Sequence, residues 1–434
     1  MSVTPTLVTP TPVGPTSVGL PTQRVTAIRA PRRFFFGLFL AQFGIFVALI
    51  TPVVVSMQLK ATQLAPDNPA GLIGAVLPFG ALGALLANPL AGALSDRTRT
   101  RWGRRRPWLV GGIVVFVGAL VCVAYVQDQL SLTIAWVLAQ VAANAALAAL
   151  FASFADNVPG FQRGWGSSVI AVAQNVAILA GVYLSVGLTS NLSMLFIAPG
   201  VLAVGFVLVY AFVVRDELPD NKLEPLTFLT VISSFWTNPV KNPDFGFAWW
   251  SRFLITLATC MFTTYRFLYM QQHLGIKSEP DAAAAVALGV LLYTVALLVS
   301  SAISGWISDR TGRRKIFVGG STALFGFGLT LLAHADTVEW FYCAELVMGL
   351  AFGVYTAVDN ALVVDVLPDA DQPGKDLGVF NIANAMPQTL APAVALFFLG
   401  IGSAANQNYA AMLWAAGAIG ILGALAIIPI KRVR

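Results

Sequence analysis

From about residue 34 onward the chain alternates between apolar runs of roughly twenty residues and short polar intervals. The runs cover 34–57, 70–90, 108–126, 132–155, 166–186, 194–214, 247–270, 282–303, 316–333, 338–364, 377–401 and 409–430. Each is long enough to cross the hydrocarbon of a bilayer, which takes about 20 apolar residues in a helix. Lipid offers no partners to open backbone groups, so spanning segments are expected to be helical. The pattern predicts an all-α polytopic membrane protein with twelve transmembrane helices. Residues 1–30 break it, with prolines at 5, 10, 12, 15 and 21 and no apolar core. That composition predicts a disordered tail, and it lacks the basic start and apolar stretch of a signal peptide. The longest polar interval, 215–246, separates six spans within 31–214 from six within 247–434.

Composition agrees with this division. Hydrophobic residues make up 57% and charged residues 11% of the chain, where soluble proteins carry about 25% charge. Placed on the twelve spans, Lys60 and Lys277 fall in loops on one side, while Arg252 and Arg266 fall inside the seventh span. The remaining basic residues gather on the side of the termini. That asymmetry predicts both termini in the cytoplasm, in a cell membrane. The pI near 9.3 therefore reports topology, and no nucleic-acid partner is expected. Cys122, Cys260 and Cys343 lie within spans and imply no disulfide framework. His273 and His334 lie at span ends and read as solvated surface. No metal spacing, phosphate-cradling loop or nucleophile elbow occurs, so no enzyme and no cofactor are expected.

One polar interval recurs. Gly92-Ala-Leu-Ser-Asp96-Arg97 leads through Arg99 and Arg101 to Gly103-Arg104-Arg105-Arg106-Pro107. Its second copy is Gly305-Trp-Ile-Ser-Asp309-Arg310-Thr-Gly312-Arg313-Arg314-Lys315. Asp96 and Asp309 are 213 positions apart, while Gly103 and Gly312 are 209 apart. A four-residue insertion accounts for the difference. The 209 offset also relates Asp156-Asn-Val-Pro159 to Asp365-Val-Leu-Pro368. An arginine-crowded Gly-x-x-x-Asp-Arg turn repeated one half-chain later resembles the major facilitator superfamily of transporters. The stretch 96–108, with Asn88-Pro89 before it, resembles the glycoside–pentoside–hexuronide cation symporters. The frame from Asn144 to Ala155-Asp156 resembles sucrose carriers and their bacterial relatives. Two departures accompany these likenesses. The symporters often have an aspartate where Asn88 stands, and a neutral amide does not offset a sodium ion. The sucrose carriers have an arginine and a glutamine where Phe151 and Leu147 stand.

The resemblance implies two pseudo-symmetric six-helix bundles that rock about a central site to move a small solute. It also implies that the first, fourth, seventh and tenth spans line that site. Gly92, Asp96, Arg97, Gly103, Arg104 and Arg105, with Gly305, Asp309, Arg310, Gly312, Arg313 and Arg314, are then candidates for a latch at the cytoplasmic gate. Asp96 and Asp309 are expected near the starts of the third and ninth helices, where the dipole favours an acid. Asp156 and Asp365, each before an x-x-Pro, read as caps of the following turn.

Charges inside spans cost about 2.5–3.5 kcal/mol each on insertion scales, so they default to pairing or function. Glu345 and Arg266 are expected at similar depth, with Glu345 taking up a proton and Arg266 tuning it. Asp359 is the second proton candidate. Gln42, Gln140, Asn144, Tyr265, Asn381, Asn384 and Gln388 form the polar lining, suited to a hydroxyl-rich solute because amides both donate and accept. Trp249 and Trp250 read as an interfacial belt. The expected function is proton-coupled symport of a sugar or glycoside by a monomer in the bilayer. The alternative is proton-driven export of drugs or metabolites, although the fifth span lacks the Gly-Pro pair of such exporters.

Overall fold

The computed structural model describes residues 29–214, 216, 241–366 and 373–431. All but the last two residues of the expected tail, 1–30, and most of the interval 215–246 therefore lie outside the described residues. Twelve helices are long and apolar enough to cross a membrane. They are α1 Arg32–Leu64, α2 Pro69–Arg97, α3 Arg106–Tyr125, α4 Gln129–Asn157, α5 Arg163–Leu188 and α6 Leu192–Val213. The second six are α7 Pro243–Gln272, α8 Glu279–Thr311, α9 Arg314–Leu332, α10 Val338–Asp365, α11 Pro373–Leu399 and α12 Tyr409–Ala426. No strand occurs among the described residues, only an isolated bridge between Thr100 and Gly103.

Several helices outrun their apolar cores. α2 continues to Arg97, so Asp96 sits in its last turn and meets the start of α3 through the side chain of Arg105. α7 begins at Pro243, inside the interval expected to be a linker. α1 continues past a π-helical turn, Pro52–Ser56, to Leu64. Lys60 is therefore no loop residue. It is buried, and its Nζ donates to the Ala124 carbonyl at 2.9 Å, where a cation complements the C-terminal end of α3.

The two ends of the bundle are capped differently. Every even-numbered helix begins at the end away from the arginine turns, and each begins on a side-chain N-cap. Asn68, Asp128, Asn191, Ser278, Thr337 and Asn408 accept the N–H three residues on. Asp128, outside the spans, is held below the usual carboxylate range by its bonds to Ser131.

Packing repeats with the sequence. In the first half α1 packs on α5 and α6, α2 on α4, and α3 on α4 and α6. In the second half α7 packs on α11 and α12, α8 on α10, and α9 on α10 and α12. Adding six to each helix number turns the first set into the second. The halves meet along α2–α11 and α5–α8, which the same operation exchanges. Small residues set the closest approaches. A Cβ on Gly349 would stand 2.4 Å from the Tyr293 carbonyl, and one on Gly353 2.0 Å from Ser300 Oγ. The two glycines are one turn apart, so the backbones of α8 and α10 nearly touch.

The halves are closed at the end opposite the arginine turns. There Gln58 Nε2 of α1 donates to the Thr264 carbonyl of α7 at 2.7 Å, and the Leu268 amide donates to Gln58 Oε1 at 3.0 Å. Asn406 Nδ2 donates to Asn68 Oδ1 at 3.0 Å. α2 buries Ala70, Leu72, Ile73, Val76, Leu77 and Gly80 but exposes Leu82, Leu86, Leu90 and Leu94 toward the arginine turns.

Candidate functional site

The arginine turns fold into charge clusters, each within its own half. The Arg105 guanidinium is 5% exposed and fully engaged. Its Nε donates to Asp156 Oδ2 at 3.0 Å, Nη1 to Ser95 Oγ at 2.7 Å and Nη2 to Asp96 Oδ1. Arg104 adds an ion pair to Asp156 at 2.8 Å. Arg97 turns back on its own helix, donating to the Ala93 carbonyl at 2.9 Å. In the second turn Arg314 pairs with Asp365 at 2.5 Å and donates to the Ala361 carbonyl. Arg310 lies over the Trp306 ring at 3.9 Å. The Asp309 side chain lies outside the described residues.

Two expectations are corrected here. Asp156 is held by Arg104 and Arg105 and caps no turn among the described residues, because guanidiniums offer a carboxylate more than a turn N–H does; Asp365 is held by Arg314, and the turn it was expected to cap lies outside the described residues. The acid at the start of α3 is Asp216, which the sequence reading passed over. Its Oδ2 accepts the backbone N–H groups of Arg105 and Arg106 at 2.7 and 2.8 Å. Gly103 makes room for it. At φ +101° a side chain is strained, and a Cβ there would lie 2.3 Å from the Asp216 carboxyl carbon. Gly312 repeats the positive φ at +64°. Nothing lies within 4 Å of a Cβ on Gly92, and only Ala357 approaches one on Gly305.

In the membrane interior, two ion pairs bridge α7 and α10. Glu345 is wholly buried; Arg266 Nε stands 3.0 Å from its Oε1, and Nη2 donates to Oε2 at 3.4 Å. The guanidinium also lies 4.9 Å from the Phe262 ring centre. Asp359, 1% exposed, receives Arg252 through Nε at 2.7 Å and through Nη2. The Phe380 ring lies 4.4 Å from that guanidinium carbon. Arg252 and Arg266 are fourteen residues apart on α7, as are Glu345 and Asp359 on α10. The helices are antiparallel, so the pairs are two rungs of one register, about 21 Å apart at 1.5 Å per residue. The charge of Arg252 was visible in the sequence as an anomaly within a span, but its partner was not.

The polar candidates divide. Gln42 is fully buried, with neither amide atom hydrogen-bonded among the described residues. Gln140 is half-buried, and Asn144 beside it donates back to the Gln140 carbonyl at 2.9 Å. On α11 Asn381 and Gln388 are exposed and Asn384 is half-buried, one stripe at helical spacing. Tyr265 departs from this group. Its hydroxyl donates to the Pro392 carbonyl at 2.8 Å and lies 3.5 Å from the Ala70 carbonyl, which fastens α7 to α11 and α2 at the closed end. Trp249 is half-buried, donating to the Val379 carbonyl at 3.0 Å, while Trp250 is exposed. His273 is not solvated surface either. It stacks on Tyr269 at 4.8 Å, and burial pushes it below the ordinary histidine range, with Asp336 acting against this.

Twelve apolar helices in two repeated bundles, closed against each other at one end and carrying an arginine cluster in each half at the other, have the architecture of a polytopic membrane carrier. A sequence profile of the Major Facilitator Superfamily matches residues 34–392 and, again, 282–434. The chain belongs to that superfamily. It is 35% identical over 111 residues to the uncharacterized MFS-type transporter YfiU of Bacillus subtilis (strain 168), across 26% of this chain and 21% of that protein. It is 40% identical over 65 residues to the inner membrane symporter YicJ of Escherichia coli (strain K12), across 15% of this chain and 14% of that protein. The matched stretches thus span about a fifth or less of these relatives. The fold is similar to that of the nucleoside transporter NupG (D323A mutant), with TM-score 0.72 and 12% identity over 92% of this chain and 99% of that one.

Proposed function

We propose that this carrier moves a sugar or glycoside together with protons, with Glu345 as the group that takes up the proton. The observation that carries it is the Glu345–Arg266 pair, a carboxylate buried at 0% exposure whose charge rests on one guanidinium. A proton on Glu345 cancels that attraction and frees Arg266, so protonation is linked to the packing of α7 against α10. Linkage of this kind lets a proton gradient bias a two-state equilibrium. Asp359 is a second proton candidate, held by Arg252 in the present state.

The neutral amides support a hydroxyl-bearing solute. Gln42 holds a buried amide without a partner, a condition that costs free energy until something bonds to it. Gln140, Asn144, Asn381, Asn384 and Gln388 are proposed to complete the lining, and Tyr265 to serve the closed end. Symport is favoured over export by the likeness to a symporter. We further propose that the protein works as a monomer in the cell membrane with both termini cytoplasmic. The clustering of basic residues at the terminal end supports that orientation, and the state described is then inward-facing.

The test is external pH in lightly buffered, energy-depleted cells making the protein, on adding one glycoside after another. Alkalinisation is expected with a transported glycoside and is expected to vanish in Glu345→Gln. If no glycoside moves protons while the protein is in the membrane, the symport reading is overturned in favour of proton-driven export.

A further inference from the structure

Thr264 and Leu268 are four residues apart on α7, so in a regular helix the carbonyl of the first takes the amide of the second. Gln58 addresses both groups at once. Its Nε2 donates to the Thr264 carbonyl at 2.7 Å and its Oε1 accepts the Leu268 amide at 3.0 Å. The same Nε2 reaches the Val54 carbonyl at 3.0 Å on its own helix. Gln58 is wholly buried, and it follows directly on the π-helical turn Pro52–Ser56, which shifts the face that α1 presents beyond it. A carboxamide from one half is thus wedged beside a single turn of the other. Side chains inserted at the i→i−4 ladder bend helices.

That turn carries the residues that matter most. Between Thr264 and Leu268 lie Tyr265, bound to the Pro392 carbonyl, and Arg266, bound to Glu345. Glu345 is faced by Arg266 from α7 and by Tyr293 and Gly289 from α8. The turn at 264–268 therefore joins the closure between halves to the ion pair within one half.

We infer that Gln58 is a positioning residue that couples closure of the far end to the Arg266–Glu345 pair. With Gln58 seated, the 264–268 turn holds Arg266 against Glu345. With the far end open, Gln58 withdraws from the turn and Arg266 shifts from the carboxylate. This rests on the proposal that Glu345 takes up a proton.

The experiment uses the purified full-length protein and needs no solute. Protonation of Glu345 is followed by the infrared band of a protonated carboxyl against pH, as the difference between each protein and its Glu345→Gln counterpart. Opening of the far end is followed by hydrogen–deuterium exchange of peptides there. Gln58→Ala is expected to speed far-end exchange and to move the midpoint of the band by about one pH unit. Asn406→Ala removes the Asn406–Asn68 bond, which does not touch the 264–268 turn. It is expected to speed exchange and leave the midpoint in place. An unmoved midpoint in Gln58→Ala overturns the coupling alone, and so does an equal shift in both variants. A difference band absent across the pH range overturns the proton role of Glu345, and the coupling with it.

Discussion

The two halves share their latch and differ in their interior. Arg105–Asp156 and Arg314–Asp365 are related by the same 209-residue offset, so the inner ends kept one device through the duplication. The interiors did not. Opposite Arg252, Arg266, Glu345 and Asp359 the internal alignment sets Phe39, Val53, Trp136 and Leu150. The second half stakes its packing on two buried charge pairs, the first on aromatic and aliphatic contacts with a few amides. The proposed rocking requires both ends that bear the arginine turns to open alike, which accounts for the shared cluster. The proposed proton centre is needed only once, and its burial is costly enough that a second copy would have to serve a purpose.

The largest expected effect separates the interiors. Arg252→Ala leaves Asp359 buried without its cation and is expected to cost about 3–5 kcal/mol, read as a fall in the thermal unfolding midpoint in detergent. Arg252→Met with Asp359→Leu together should recover most of it. At the aligned first-half positions, Phe39→Leu or Leu150→Met should cost under about 1.5 kcal/mol. Equal losses from the charged and apolar sites would erase the distinction between the halves.

An intermediate effect separates the two copies of the latch. Arg105 has three side-chain partners and almost no exposure, whereas Arg314 is 25% exposed and Asp365 37%. Arg105→Ala is expected to cost about 1.5–3 kcal/mol and Arg314→Ala about 1 kcal/mol or less. Unfolding midpoints of the two variants compare them directly, and the reverse order would mean that the duplicated latch bears on its second copy. The smallest effect concerns solute. Gln140→Ala should raise the KM of a transported glycoside roughly fivefold, the worth of about 1 kcal/mol in one hydrogen bond. Protons moved per solute should stay constant; a changed ratio would place coupling in the first half as well.

The twelve spans and their repeat could be read from the chain because apolar length and the positions of Asp and Arg are local quantities. Glu345 and Arg266 stood out for the same reason, being charges where charge is expensive, and counting turns gave them a common depth. Arg252 and Asp359 stood out singly, but nothing local said that fourteen-residue spacings on two antiparallel helices would align them. Gln58 and Asp216 gave less. A neutral amide just past an apolar run, and an acid at the start of a polar interval, look like ordinary ends of helices. Their roles depend on what another segment brings to them, a carbonyl and amide of α7 in one case and the start of α3 in the other. At Asp156 the nearby proline suggests a turn, while the arginine that holds it comes from 51 residues upstream, as does the one that holds Asp365.

The two rungs between α7 and α10 carry a mechanical consequence. A helix that slides by one turn moves 5.4 Å, and such a slip here would shear both rungs at once and strand four charges in a dry interior. Tilting the pair as one girder strains neither. The two rungs thereby make α7 and α10 stiff against sliding, and the rocking proposed for this carrier would turn them together about the closed end, with the turn of α7 where Gln58 is seated as the place left to give.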